Sequence, residues 1–287
     1  MRFEEFCRAH GLIVDTLEEG RWVRVPTTDH PRTKNGAYKW LGDVGFCQNH
    51  ATQVDVSTWR PDAAEKPVDM ARIHAKVADH ERKQRDGWAR AAKVADGLLQ
   101  SAKQGQHGYL QIKGFEDAKG LVLPDETLMV PMRHLRTNDL VGAQIIRWLP
   151  EEMKYEKKML PGMRAKGAVF RLGERHARRT WLVEGYATGL SVECALRMLK
   201  LRDSVLICFS AGNLIHVAEQ LSGEALVFAD HDASGAGERA AKATGLRYCM
   251  PAQVGHDAND CHKHLGIFKV ASLMVDATLS ELQEAPA

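Results

Sequence analysis

Short apolar runs and segments of helical spacing alternate along the last third of the chain. The runs over 180–184, 204–209, 225–229 and 248–251 read as buried strands. The stretches over 187–199, 213–221, 236–244 and 259–265 read as helices, with a last amphipathic helix from 267 to about 282. Such alternation predicts a mostly parallel sheet with helices on both faces. The pattern is more mixed between 107 and 175, where 128–132 and 140–147 look like strands joined by the polar turn 136–139. Residues 68–104 lack proline and place Met70, Ile73, Val77, Trp88, Ala91, Val94, Leu98 and Leu99 at helical spacing. This reads as one long helix or two with a break near Gly87. Near the start, 21–26 alternates like a strand, and Asn35-Gly36 signals a turn before a second one.

These patterns divide the chain into a small β-rich module (1–62), a helical linker (63–104), a mixed α+β subdomain (105–178), an α/β domain (179–266) and a C-terminal helix (267–287). A length of 287 residues suits about two domains.

Three acidic clusters lie in order along the α/β part, each following a short apolar run. The motifs are Glu184-Gly185, Asp230-His-Asp232 and Asp257-Ala-Asn-Asp260, with Ser234-Gly-Ala-Gly237 directly after the second. Open α/β sheets bind ligands at the carboxyl ends of their strands. Neighbouring carboxylates repel, so Glu184, Asp230, Asp232, Asp257 and Asp260 at one edge point to divalent cations, Mg²⁺ or Mn²⁺. For a single acid the plainer reading is a helix N-cap. Several in register favour metal. The glycines 185, 189, 235 and 237 fit close backbone approach at strand-to-helix turns.

Overall charge is only +2, so bulk composition does not argue for nucleic acid. Local charge does. Residues 150–179 hold nine Lys/Arg against four Glu, a basic strip directly before the first acid. Lys157, Lys158 and Lys166 lie in this strip, and Arg147 stands just before it. A solvated loop is the plainer reading of the two adjacent lysines. The sequence has no Gly-x-x-x-x-Gly-Lys-Ser/Thr loop, hence no built-in ATP-driven motor. No run is apolar and long enough for a membrane span, and the first residues lack a signal-peptide core. The six cysteines are scattered, which fits a reducing, cytoplasmic setting, and no membrane partner is expected.

Two Cys-x-x-His pairs, Cys7/His10 and Cys47/His50, have the composition of a tetrahedral zinc site, although the first pair looks helical. Trp22, Tyr38, Trp40 and Trp59 read as the core of a small module rather than a base-stacking platform.

The ordered motifs Glu184-Gly-Tyr-Ala-Thr-Gly-Leu-Ser-Val192, Asp230-His-Asp-Ala-Ser-Gly-Ala-Gly237 and Asp257-Ala-Asn-Asp260 resemble those of Toprim-domain DNA primases of phage and plasmid type. The Glu-Gly-Tyr-Ala-Thr form is especially like the alpha-type primases of satellite phages and those of conjugative plasmids. Upstream, His107-Gly-Tyr-Leu-Gln-Ile-Lys-Gly114, Met129-Val-Pro-Met132, Gln144-Ile-Ile-Arg147 and Lys157-Lys-Met-Leu-Pro-Gly162 are similar to the first half of a DnaG-type catalytic core. The likeness covers about residues 105–266, and 1–62 loosely resembles the zinc-ribbon-like module that precedes Toprim in such proteins.

The resemblance implies a Toprim domain preceded by a basic subdomain. It implies Glu184 beside the reacting 3′-hydroxyl, with Asp230 and Asp232 holding the ions that carry a nucleoside triphosphate, and Asp257 and Asp260 completing the patch. Arg147 and one of Lys157 and Lys158 would contact nucleotide phosphates and template, with Lys166 nearby. The expected activity is RNA primer synthesis on single-stranded DNA in a bacterial host cytoplasm, from ribonucleoside triphosphates, with a replicative helicase acting in trans. A Toprim-type metal-dependent nuclease and a non-catalytic nucleic-acid-binding accessory protein are the alternatives.

Overall fold

The computed structural model describes residues 1–50, 52, 55–61 and 70–279, with the side chains of 70–74 and 76 left aside. The chain divides into two units, Met1–Asp86 and Gly87–Ala287.

The first unit opens with helix α1 (Phe3–Ala9), followed by a four-stranded antiparallel meander, β1 (Trp22–Val25), β2 (Gly36–Trp40), β3 (Gly45–Asn49) and β4 (Ser57–Trp59). Alternation decides which faces are buried. In β3 the first, third and fifth residues point inward, bringing Cys47 onto Phe3 and Cys7 of α1 and onto Tyr38 of β2. Asn35-Gly36 does not make a tight hairpin, because it ends a long β1–β2 connection whose second strand begins at Gly36 itself. Trp40 and Trp59 pack against this core, as the sequence reading held, while Trp22 is exposed.

Helix α2 (Met70–Ser101) runs unbroken through Gly87. One glycine costs a helix about 1 kcal/mol, too little to interrupt so many well-suited neighbours. From Ala95 on, its apolar face packs on Leu123, Met129 and Ala143 of the second unit, to which that part of the helix belongs.

The second unit is built on one ten-stranded mixed sheet. Its antiparallel part holds β5 (Lys103–Gly105), β6 (Gly120–Val122), β7 (Leu128–His134), β8 (Leu140–Leu149), β9 (Lys154–Met159) and β10 (Ala168–Leu172), with a short helix α3 (Gly108–Ile112) after β5. One edge of β7 carries β6 at its start and β10 at its end, and the other edge carries β8, which pairs in turn with β9. The parallel part holds β11 (Arg179–Val183), β12 (Ser204–Ile207), β13 (Glu224–Phe228) and β14 (Arg247–Cys249), in spatial order β14-β13-β11-β12. Antiparallel pairing of β10 with β12 joins the two parts.

Helices cover both faces of the parallel strands. On one side α4 (Tyr186–Met198), α7 (Ala258–Leu265) and α8 (Ile267–Leu279) bury Trp181, Val183, Val205 and Phe228. On the other, α5 (Ala211–Ala218) and α6 (Ala236–Ala243) bury Leu182, Leu206 and Val227. Strands covered on both faces read as unbroken apolar runs, as in Trp181–Val183, Val205–Ile207 and Ala225–Phe228. The fold class is thus mixed α/β, with a wider and more antiparallel sheet than the pattern suggested. No helix among the described residues is long and apolar enough to cross a membrane.

Candidate active site

The parallel strands all end at one edge. There β11 passes into Glu184, with Gly185 capping α4, and β13 passes through Ala229 into Asp230, His231 and Asp232 before α6. Two bridges pin the turn. The Ala229 N–H donates to Cys249 O at 2.8 Å, and the His231 N–H donates to His256 O at 3.0 Å, which brings the Asp257 segment alongside. Gly237 permits the fit: a Cβ there would stand 2.2 Å from the backbone oxygen of Asp230.

The acids have different jobs. Asp232 accepts hydrogen bonds from the Ser234 hydroxyl, from Ala236 N at 3.2 Å and from Gly237 N at 2.8 Å. Those donors hold it well below the ordinary carboxylate range, so it is a fixed negative charge. Asp257 caps α7, accepting from Asp260 N at 2.8 Å, while Asp260 accepts from Asp257 N at 3.2 Å. The second oxygen of Asp257 accepts from the Thr188 hydroxyl at 3.2 Å. For Asp232, Asp257 and Asp260 the capping role is therefore real.

Glu184 and Asp230 cap nothing. Burial and the nearby charge of Asp232 push Glu184 above the ordinary value. Burial, then Asp257, Glu184 and Asp232, push Asp230 up to about 7, with Lys157 pulling the other way. Oδ1 of Asp230 is buried and has no hydrogen-bond partner among the described residues. An orphaned buried acceptor costs about 1–3 kcal/mol, so it calls for a partner from outside.

Among the described residues no three His, Cys, Asp or Glu side chains form a ready-made metal cluster. Mg²⁺, however, is commonly held by one or two carboxylates plus waters and substrate phosphates. A lone buried carboxylate oxygen facing three other acids fits that chemistry.

The basic residues separate by strand face. Tyr155 and Lys157 alternate onto one side of β9, where the Lys157 ammonium lies 5.3 Å from the centre of the Tyr109 ring and acts on Asp230. Lys158 falls on the other side and pairs with Glu156 at 2.7 Å, and Arg147 pairs with the same Glu156 at 3.2 Å. Lys166 lines a hollow of about 300 Å³ at the end of β12, with Cys208, Ser210 and Asn213. Asn213 closes the floor of that region: it accepts from Gly167 N at 2.7 Å and donates to Ala168 O and Cys208 O at 2.8 Å each. The structure thus brings Lys157 to the acids, sets Lys166 beside the adjoining strand end, and leaves Arg147 and Lys158 paired with Glu156. Tyr109 and Thr188 were missed as site residues, although both lie inside the quoted motifs.

In the first unit the buried thiols of Cys7 and Cys47 meet, and their mutual hydrogen bond pushes Cys7 up. The histidines do not join them. His10 Nδ1 lies 2.9 Å from Phe6 O with its ring against Phe6, and the His50 ring is held below its usual value by burial and Arg24. The cysteines pack in an apolar core, without a tetrahedral ligand set among the described residues.

No family model matches the chain, and no curated protein matches it in sequence. A solved structure, that of the DnaG catalytic core, is similar with a TM-score of 0.38 and 14% identity, over 74% of this chain and 74% of that one. A likeness so distant decides neither fold family nor activity.

Proposed function

We propose that this chain is a DNA primase, joining ribonucleotides on a single-stranded DNA template at the edge formed by Glu184, Asp230, Asp232 and Asp257. One observation carries the reading. Asp230 stands half-buried among three like charges, with a buried oxygen that has no partner among the described residues, and Lys157 approaches from the neighbouring basic strand. Acids with no counter-charge of their own, next to a cation, suit a substrate that brings phosphates and divalent ions together. The ordered sequence motifs that resemble Toprim primases support the same assignment.

In this reading Asp230 and Glu184 hold Mg²⁺ or Mn²⁺, with Asp232 and Asp257 contributing fixed charge. Asp260 serves by holding Asp257 in its capping box. The bound ion would supply neutralisation of the triphosphate and polarisation of the reacting phosphorus. The 3′-hydroxyl oxygen bonds to the α-phosphorus, the bond to the departing pyrophosphate breaks, and the hydroxyl proton leaves to a base. Glu184 would serve either as a ligand of the ion or as that base. Lys157, stacked on Tyr109, offers a point charge to phosphate oxygens. Lys166 and its hollow lie along the same edge. A replicative helicase in trans would open the duplex.

The test is synthesis on mixed-sequence single-stranded DNA with labelled ATP and GTP and either Mg²⁺ or Mn²⁺. Short labelled oligoribonucleotides that disappear in Asp230→Ala are expected. Synthesis retained in that variant would refute the assignment, and metal-dependent shortening of the DNA without synthesis would replace it with a nuclease.

A further inference from the structure

A second site lies away from the acids. At the end of β7, against β10, a cavity of about 180 Å³ is lined by Arg133, Arg171 and Arg175, with His134, Pro131 and Val169. The guanidiniums are oriented by neutral acceptors. Arg133 donates to Asn138 O at 3.0 Å, Arg171 to Ser204 Oγ at 3.0 Å, and Arg175 to Arg136 O at 2.7 Å. Among the described residues no carboxylate lines the cavity. Asp203, the acid at this end of β12, is committed to the Trp181 indole at 3.2 Å and to Arg179 at 3.7 Å. Arg171 is half-buried, and burial together with the charge of Arg175 works against its protonated form.

A guanidinium does not lose its proton in a protein, so three of them around one cavity make it positive and favour an anion there. Each carries five N–H donors and spends one on the bond that orients it, leaving a converging set suited to a tetrahedral oxyanion. Residue alternation puts Arg171 and Val169 on the same face of β10.

We infer that Arg133, Arg171 and Arg175 form a phosphate-binding pocket that holds the backbone of single-stranded nucleic acid at a distance from the reacting edge. Arg171 pairs with Leu206 of β12, and β12 stands between β10 and β11, the strand that ends in Glu184, so the pocket is set to the side of the acidic edge. A polynucleotide laid across these strands can reach both places. The choice of polynucleotide over a free polyphosphate rests on the primase reading, while the anion pocket itself does not.

The experiment measures binding of a labelled single-stranded DNA by fluorescence anisotropy over a salt series, in EDTA and without nucleotides, so that no catalysis is involved. Arg175→Gln is exposed and serves as the variant that leaves the fold intact. Arg133→Gln and Arg171→Gln accompany it, with Arg171→Lys keeping the charge. Each Gln variant is expected to weaken binding by about fivefold at low salt and to flatten the log Kd against log salt slope by about 0.7, the value of one lost phosphate contact on a single strand. The measurement needs neither metal nor synthesis, so a failed primase reading leaves this result standing. Unchanged affinity and slope in Arg175→Gln and Arg133→Gln would overturn the pocket. Weakened binding of ATP or pyrophosphate with DNA binding unchanged would overturn the polynucleotide as its ligand.

Discussion

Replacing Asp230 by Asn should stabilise the metal-free protein while destroying its activity. The wild-type carboxyl has moved from an ordinary 3.8 to about 7 because burial and three neighbouring acids disfavour its charge. At about 1.4 kcal/mol per pH unit, that is roughly 4 kcal/mol of folding free energy lost once the group is ionised in both states. The sign follows from the direction of the shift. A raised folded value means the folded state holds its proton longer, so the contribution is full below 3.8 and is gone once the pH has passed about 7. The Asn amide pays no such penalty, but its buried N–H groups can lack acceptors, at a cost of about 1–3 kcal/mol. Charge relief is the larger effect above pH 7, leaving the variant about 1–3 kcal/mol more stable there.

The pH dependence of the difference is sharper than its size, because the amide cost does not titrate. Between pH 5 and pH 8 the gap between variant and wild type should widen by about 3 kcal/mol. Asp232 does not interfere, since its lowered value keeps it ionised in both states across that window. Urea unfolding in EDTA, followed by hydrogen exchange of β11 and β13 peptides, reads the relevant unit alone. Added Mg²⁺ should then stabilise the wild type at pH 8 and leave Asp230→Asn unmoved. A gap that stays constant from pH 5 to pH 8 would show that Asp230 is not held among like charges.

Further consequences are equally direct. On the primase reading, Lys157→Ala should lower kcat/KM for primer synthesis by about 10–100-fold, while Lys158→Ala stays within about threefold, because Lys157 acts on Asp230 whereas Lys158 pairs with Glu156; equal losses in steady-state assays would refute the division. Gly237→Ala puts a methyl group 2.2 Å from Asp230 O and should cost at least about 2 kcal/mol in thermal unfolding, together with activity; a wild-type melting curve would contradict the close approach. The Tyr109 hydroxyl is buried without a partner, so Tyr109→Phe should be neutral or stabilising by about 1 kcal/mol in urea unfolding, and a loss larger than that would reveal a bond the structure lacks.

The parallel strands, their order of helices and the clustering of acids at one edge were legible because each depends on local sequence. A buried apolar run and an acid followed by glycine are short-range signals. The strands at 103–105, 120–122, 154–159 and 168–172 were not, for reasons that differ. β9 carries Lys, Tyr, Glu, Lys, Lys and Met, half of them exposed, and its strand character comes from pairing with β8 across six positions rather than from its own pattern. β10 is an ordinary apolar alternation, but nothing local to it announces that it pairs with β7 on one side and β12 on the other.

The same contrast accounts for the basic residues. Which of two adjacent lysines faces the acids is settled by β-strand alternation, and alternation has meaning only once the register of β9 is fixed. That register sets Lys157 opposite Ile146 and Glu156 opposite Arg147, so the Glu156 carboxylate collects Arg147 and Lys158 while Lys157 points to Tyr109. A one-residue slip would exchange the two lysines and move the point charge from the acidic edge to the solvent-facing pair. Charge counting over 150–179 cannot tell the lysine turned toward the acids from the one paired with Glu156. The arginine pocket lay hidden for the same reason: Arg133, Arg171 and Arg175 belong to two separate stretches of sequence, and only the junction of β7 with β10 makes them neighbours.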